Sequence, residues 1–301
     1  MTQIPRWTAT PVSDRTYILG EGPHWDASLS RLSWVDIPAG DLWSSTMDET
    51  QPPTREQHFA DDLGVAVPHG RGWICAVGPA LMLVIDSHIS ASVQLETPGA
   101  RLNDGKVDPQ GRFWVGSKGH GNEPGRGHLY RLDRDGTAHQ VLDGLTISNG
   151  LGWSPDESTM YVTDSPTGNI YAFDFDAESG AIDNRRILIH LDANEGAPDG
   201  LCVDSEGAIW TALWGGSSVR RYGPDGELLG IVDVAASHVT SCAFIGPDLR
   251  TLAITTAKDE LPPDILAQEP HAGSVFLAQV DIAGRTATAC EVASTDWTLL
   301  G

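Results

Sequence analysis

Phe113-Trp114-Val115-Gly116 is an apolar run entered from a polar turn, and five other stretches repeat its character: Leu32-Ser33-Trp34-Val35, Gly72-Trp73-Ile74-Cys75, Met160-Tyr161-Val162-Thr163, Ile209-Trp210-Thr211-Ala212 and Leu252-Ala253-Ile254-Thr255. Short runs of apolar and aromatic residues bounded by turn residues read as buried strands. From Trp34 through Trp73, Trp114, Tyr161 and Trp210 to Ala253 the steps are 39, 41, 47, 49 and 43 residues. A period near that value held along a whole chain is one four-stranded propeller blade per step. A β-sandwich also has short strands and frequent turns, but nothing in it would keep the period. The expected fold is all-β, a six-bladed β-propeller forming a single domain over residues 1–301.

A second landmark follows each run: Gly40-Asp41-Leu42-Trp43, Pro79-Ala80-Leu81-Met82, Gly127-His128-Leu129-Tyr130, Gly168-Asn169-Ile170-Tyr171, Ser217-Ser218-Val219-Arg220 and Gly273-Ser274-Val275-Phe276. Turn chemistry such as Asp133-Arg134-Asp135-Gly136 and Pro224-Asp225-Gly226 comes soon after, as expected where a third strand returns through a hairpin to a fourth.

Ahead of four of the runs lie segments in matching phase, Glu21-Gly22-Pro23-His24-Trp25-Asp26, Asn103-Asp104-Gly105-Lys106-Val107-Asp108, Asn149-Gly150-Leu151-Gly152-Trp153-Ser154 and Asp199-Gly200-Leu201-Cys202-Val203-Asp204. If the repeats surround an axis, equal phase puts Glu21, Asn103, Asn149 and Asp199 on one ring at the mouth of the central channel. Four oxygen-bearing side chains facing a common centre suit a hard divalent cation. The same count in the remaining repeats adds Leu63 and Thr240. Glycine follows four of the six positions, which would let the backbone bend around or approach a ligand.

Nineteen basic against forty-one acidic residues give a formal charge of −22, which opposes nucleic acid and anionic membranes through long-range repulsion. Cys75, Cys202, Cys242 and Cys290 lie far apart without Cys-x-x-Cys spacing and read as buried thiols, not a zinc cluster. Met1-Thr2-Gln3-Ile4-Pro5-Arg6-Trp7 lacks the apolar run of a signal peptide, and Trp73 to Val84 is too short to span a bilayer, so a cytoplasmic location is expected.

Familiar catalytic signatures are missing. The chain has no His-Glu-x-x-His, Gly-x-Ser-x-Gly or phosphate loop. Asp174-Phe175-Asp176-Ala177-Glu178-Ser179-Gly180 opens like a calcium loop but has Arg185 where a bidentate Glu belongs, and reads as a hairpin turn. The ten histidines are scattered, and alternation along the strand points His24 away from the ring.

The chain resembles the gluconolactonases related to senescence marker protein, also called regucalcin. The resemblance is carried, in order, by Glu21-Gly22-Pro23-His24-Trp25 with Trp34-Val35-Asp36-Ile37, Arg101-Leu102-Asn103-Asp104-Gly105-Lys106-Val107-Asp108-Pro109, Ile147-Ser148-Asn149-Gly150-Leu151, Pro198-Asp199-Gly200 and Glu269-Pro270-His271-Ala272-Gly273. It implies a six-bladed propeller with one divalent ion at the channel mouth, held by Glu21, Asn149 and Asp199. It also implies Asp199 as general base and Arg101 with Asn103 as the substrate-binding pair. Ser117-Lys118 stands where Thr-Met is common in that family, and the loop from Gly119 to Arg126 differs too, so substrate preference does not carry over.

The residue types suit the implied chemistry. One Glu and one Asp balance a divalent ion while an Asn carbonyl adds a neutral ligand. A lactone needs its carbonyl polarised and a water activated, which a single open-sided ion can serve. Arg101 would hydrogen-bond sugar hydroxyls or the developing oxyanion; paired with a surface carboxylate instead, it would contribute little. The expected reaction is hydrolysis of a sugar lactone to the aldonic acid with one calcium, zinc, manganese or magnesium ion, by a protein sufficient as a monomer. Two other readings remain open: cleavage of aryl esters or organophosphates, and a non-catalytic calcium- or ligand-binding propeller.

Overall fold

The computed structural model describes residues 4–46, 51–96 and 99–300, so Met1 to Gln3 of the N-terminal stretch read for a leader lie outside the described residues. The six apolar runs fall in strands Arg31–Asp36, Gly72–Val77, Phe113–Gly119, Thr159–Asp164, Ile209–Trp214 and Thr251–Ala257. Each pairs antiparallel with the strand before it, these being Gly20–Asp26, Leu63–His69, Ala100–Val107, Ser148–Trp153, Ala197–Val203 and His238–Ile245. Each also pairs with the strand after it, where the second landmarks lie.

The six leading strands pack side by side in chain order, and His238–Ile245 closes the series against Gly20–Asp26. They form the inner wall of a propeller-like, all-β fold whose only α-helix among the described residues is the short Pro263–Leu266. No described helix is long and apolar enough to cross a membrane.

Hydrogen bonding does not divide the chain into six separate sheets, as the repeat count had suggested. Four sheets stand apart and a fifth holds nine strands. The fifth joins two consecutive repeats through a single residue pair, Trp214 with His238. The rings of the same two residues stack at 3.8 Å between centroids. Both chain ends also add to sheets: Thr10–Pro11 pairs with Phe276–Gln279, Arg6–Thr8 lies parallel to Leu228–Asp233, and Thr298–Leu300 lies parallel to Thr137–Leu145.

Turn carboxylates set the spacing between first and second strands. Asp204, fully buried, accepts from the backbone N–H groups of Glu206 and Ala208, from Trp210 Nε1 at 2.9 Å and from Arg221 Nε at 2.8 Å. Asp108 repeats the device with Gln110, Arg112 and Trp114. A buried carboxylate is tolerable because every lone pair finds a donor and a guanidinium balances its charge.

The four cysteines are buried and free. The stretch Asp174 to Gly180 closes a hairpin through a Gly180 N–H to Asp176 carbonyl bond, as its lack of a terminal Glu suggested. At the opposite end of the channel, Ala283 to Thr298 forms a strap. It bonds to Ser205, then Gly111 and Arg134, while Arg285 Nη1 donates to the carbonyls of Trp153 and Ser154.

Candidate active site

Every leading strand breaks register at its ring position: between Glu21 and His24, Leu63 and Val65, Leu102 and Gly105, Asn149 and Leu151, Pro198 and Leu201, and Val239 and Ser241. A bulge releases a residue from the strict alternation of faces and re-aims its side chain. Here the device recurs once per repeat, turning Glu21, Asn103, Asn149 and Asp199 into a cavity of about 410 Å³.

Two of the six ring positions stay out of that cavity. Leu63 is fully buried in the hydrophobic core, and Thr240 spends its hydroxyl on the Gly20 carbonyl at 2.6 Å and on Thr255 Oγ1 at 2.9 Å. The glycines beside the ring serve the neighbouring strand as well as any ligand. A Cβ on Gly150 would come 2.5 Å from the Asp199 carbonyl oxygen, and one on Gly64 would come 2.6 Å from that of Asn103. Glycine lets adjacent inner strands approach, and that closeness brings the polar side chains together.

The polar groups form one chain. Arg101 Nη1 donates to Asn103 Oδ1 at 2.7 Å and to the Leu102 carbonyl, and its Nε faces Asp62 Oδ2 at 3.2 Å. Asn103 Nδ2 donates to Asn149 Oδ1 at 2.7 Å and to the Ser148 carbonyl at 3.0 Å. Asn149 Nδ2 donates to Ser165 Oγ at 2.9 Å. Both amide hydrogens of Asn103 are thus engaged by protein, leaving only its oxygen for a ligand.

Arg101, Asn103, Asn149, Glu21 and Asp199 are all buried. Burial pushes the Glu21 and Asp199 carboxyls well above the usual range; the charge of Asp199 adds to the effect on Glu21, and that of Asp104 to both. Asp104 is itself raised by burial. Asp199 Oδ1 is buried with no hydrogen-bond partner among the described residues. An orphaned carboxylate oxygen beside a second buried carboxyl is the environment that a cation relieves. Among the described residues no group of three His, Cys, Asp or Glu side chains could hold an ion, so the donor set that fits is mixed: Glu21, Asp199 and the amide oxygen of Asn149.

Other residues of the cavity carried no role from sequence. Lys118, Asp62, Asp259, Glu260 and Trp214 line it. Burial and the neighbouring Arg101 charge bring the Lys118 ammonium down to about 8. The signal for Lys118 was its departure from the family pattern; Asp259 and Glu260 follow a strand end, where phase says nothing. His24 faces the opposite opening of the channel, and burial lowers it to about 4.

A ring of inner strands that aims two carboxyls, two amides and a guanidinium into one polar cavity defines a propeller-like protein with a site for a small polar molecule. The chain belongs to the SMP-30/Gluconolactonase/LRE-like family, whose model matches residues 19–258. It is 32% identical over 278 residues to "Putative sugar lactone lactonase YvrE" of Bacillus subtilis, covering 90% of this chain and 94% of that one. It is 36% identical to regucalcin of Oryctolagus cuniculus, covering 85% of this chain and 89% of the relative. Among solved structures, a calcium-binding protein, regucalcin, of Agrobacterium tumefaciens superposes with a TM-score of 0.90 at 26% identity, over 96% of this chain and 99% of that one.

Proposed function

We propose that this protein is a metal-dependent hydrolase that opens a sugar lactone to the corresponding aldonic acid. The reading rests above all on Asp199, whose Oδ1 is buried and unpartnered in a polar cavity beside the Glu21 carboxyl. The names of the Bacillus and Agrobacterium relatives, a lactonase and a calcium-binding protein, agree with it. The fold that carries the site is counted as six blades in one domain, the nine-stranded sheet being two blades bridged by Trp214 and His238.

Glu21, Asn149 and Asp199 would hold one divalent ion, which when bound supplies a Lewis acid for the ester carbonyl and lowers the pKa of water. Asp199 accepts a proton from the attacking water through the carboxylate oxygen that the ion would not engage. Arg101, held against Asp62 and Asn103, presents its remaining N–H groups to the sugar or to the developing oxyanion. Asn103 keeps Arg101 and Asn149 in register. The water oxygen bonds to the acyl carbon, the ring C–O bond breaks, and the proton passes to the leaving ring oxygen.

The test is proton release from fresh aldonolactones by protein stripped of metal and resupplied with zinc, calcium, manganese or magnesium, with spontaneous opening subtracted. Turnover restored by metal and reduced about 10²- to 10⁴-fold in Asp199→Ala supports the reading. Cleavage of aryl esters or organophosphates alone, or metal binding without any turnover, overturns it.

A further inference from the structure

Arg101 and Lys118 sit directly opposite each other on paired strands, and both line the cavity. Like charges directly opposite across two strands repel, and a chain with only nineteen basic residues has placed two of them here. Arg101 is compensated by Asp62. Lys118 has no hydrogen bond and no ion pair to any described residue, although Glu260, Asp199 and Asp62 attract it from beyond pairing distance. Its backbone is fixed on both sides, by Arg101 and by a bridge to Ile147, so the side chain projects from a rigid wall. A half-buried ammonium without a partner, next to a guanidinium, is a recognition element for an anion.

Resting on the hydrolase reading, we propose that Lys118, assisted by Arg101, binds a second carboxylate on the substrate, so that the preferred lactone is that of a sugar diacid. The chemistry of ring opening is unchanged. Water adds to the ester carbonyl, the ring C–O bond breaks, and the second carboxylate takes no part except to orient the ring.

Equilibrium binding separates this proposal from the hydrolase reading. Calorimetry in one magnesium-containing buffer would compare glucarate, with two carboxylates, against gluconate, with one, on the intact chain and on Lys118→Met and Lys118→Arg, each checked for native circular dichroism. A charge-assisted contact predicts about a tenfold preference for glucarate in the parent protein, lost in Lys118→Met and kept in Lys118→Arg. Equal binding of the two acids by the parent, or an undiminished preference in Lys118→Met, overturns the proposal even if lactones are hydrolysed. Absence of all lactone turnover overturns the hydrolase reading and leaves the binding comparison decisive for Lys118. Where turnover is measurable, the preference should be carried by KM for the diacid lactone, with kcat similar for both.

Discussion

Asn103 Nδ2 donates to Asn149 Oδ1 at 2.7 Å, so the amide that would face an ion is oriented by an amide on the neighbouring repeat. Asn149 is held at its other end by Ser165, which leaves its oxygen pointing one way. Partners that orient a ligand typically tune metal affinity 10- to 100-fold. Asn103→Ala should therefore weaken metal binding by about that factor in a direct titration. An unchanged affinity would confine Asn103 to the sugar.

The raised carboxyls make a pH prediction with a definite sign. A group whose folded pKa lies above its unfolded value keeps its proton in the native state where the unfolded chain has released it, so stability falls as pH rises between the two values. For metal-free protein the contribution of Glu21 and Asp199 should be present below the ordinary carboxylate range and lost as pH climbs through their raised values. Asp199→Asn should flatten the fall in thermal midpoint over that window. Added metal should stabilise the parent protein more at higher pH, because ion and proton compete for the same oxygens.

Asp204 is a structural carboxylate, and its removal should act on folding alone. Four donors converge on it, among them the buried Arg221 guanidinium. Breaking such a pair typically costs about 3–5 kcal/mol. Asp204→Ala should lower the unfolding free energy by that order in a denaturant titration, while any molecules still folded should retain metal affinity.

Gly150 tests whether the inner strands need their close approach. An added methyl would press on the Asp199 carbonyl oxygen, which belongs to backbone and cannot rotate away. Overpacking of this kind costs about 1–3 kcal/mol. Gly150→Ala should lose stability of that order and also lose activity, since the shift falls on the strand that carries Asp199.

Much of this was legible in the chain because a propeller repeats its instructions. The six apolar runs are second strands, and the phase of Glu21, Asn103, Asn149 and Asp199 placed all four in the cavity. Phase overreached at Leu63 and Thr240, where the same bulge turns a core side chain and a strand-bridging hydroxyl. It could not anticipate that Trp214 pairing with His238 would merge two repeats, since such a pair depends on the approach of strands distant in sequence. Lys118 stood out only as a departure, because its meaning lies in the cross-strand neighbour Arg101 and in what fails to pair with it.

The strap from Ala283 to Thr298 has a consequence for traffic. It crosses the rear opening, where Arg285 is tied to Trp153 and Ser154, and farther in Lys106 Nζ reaches across to the Leu201 carbonyl at 2.5 Å. Arg285 to Thr288 line a second, smaller cavity at that end, separate from the one that Arg101 and Lys118 line. With one larger polar cavity for both, the departing acid and the arriving molecule exclude one another, and inhibition by product should be competitive.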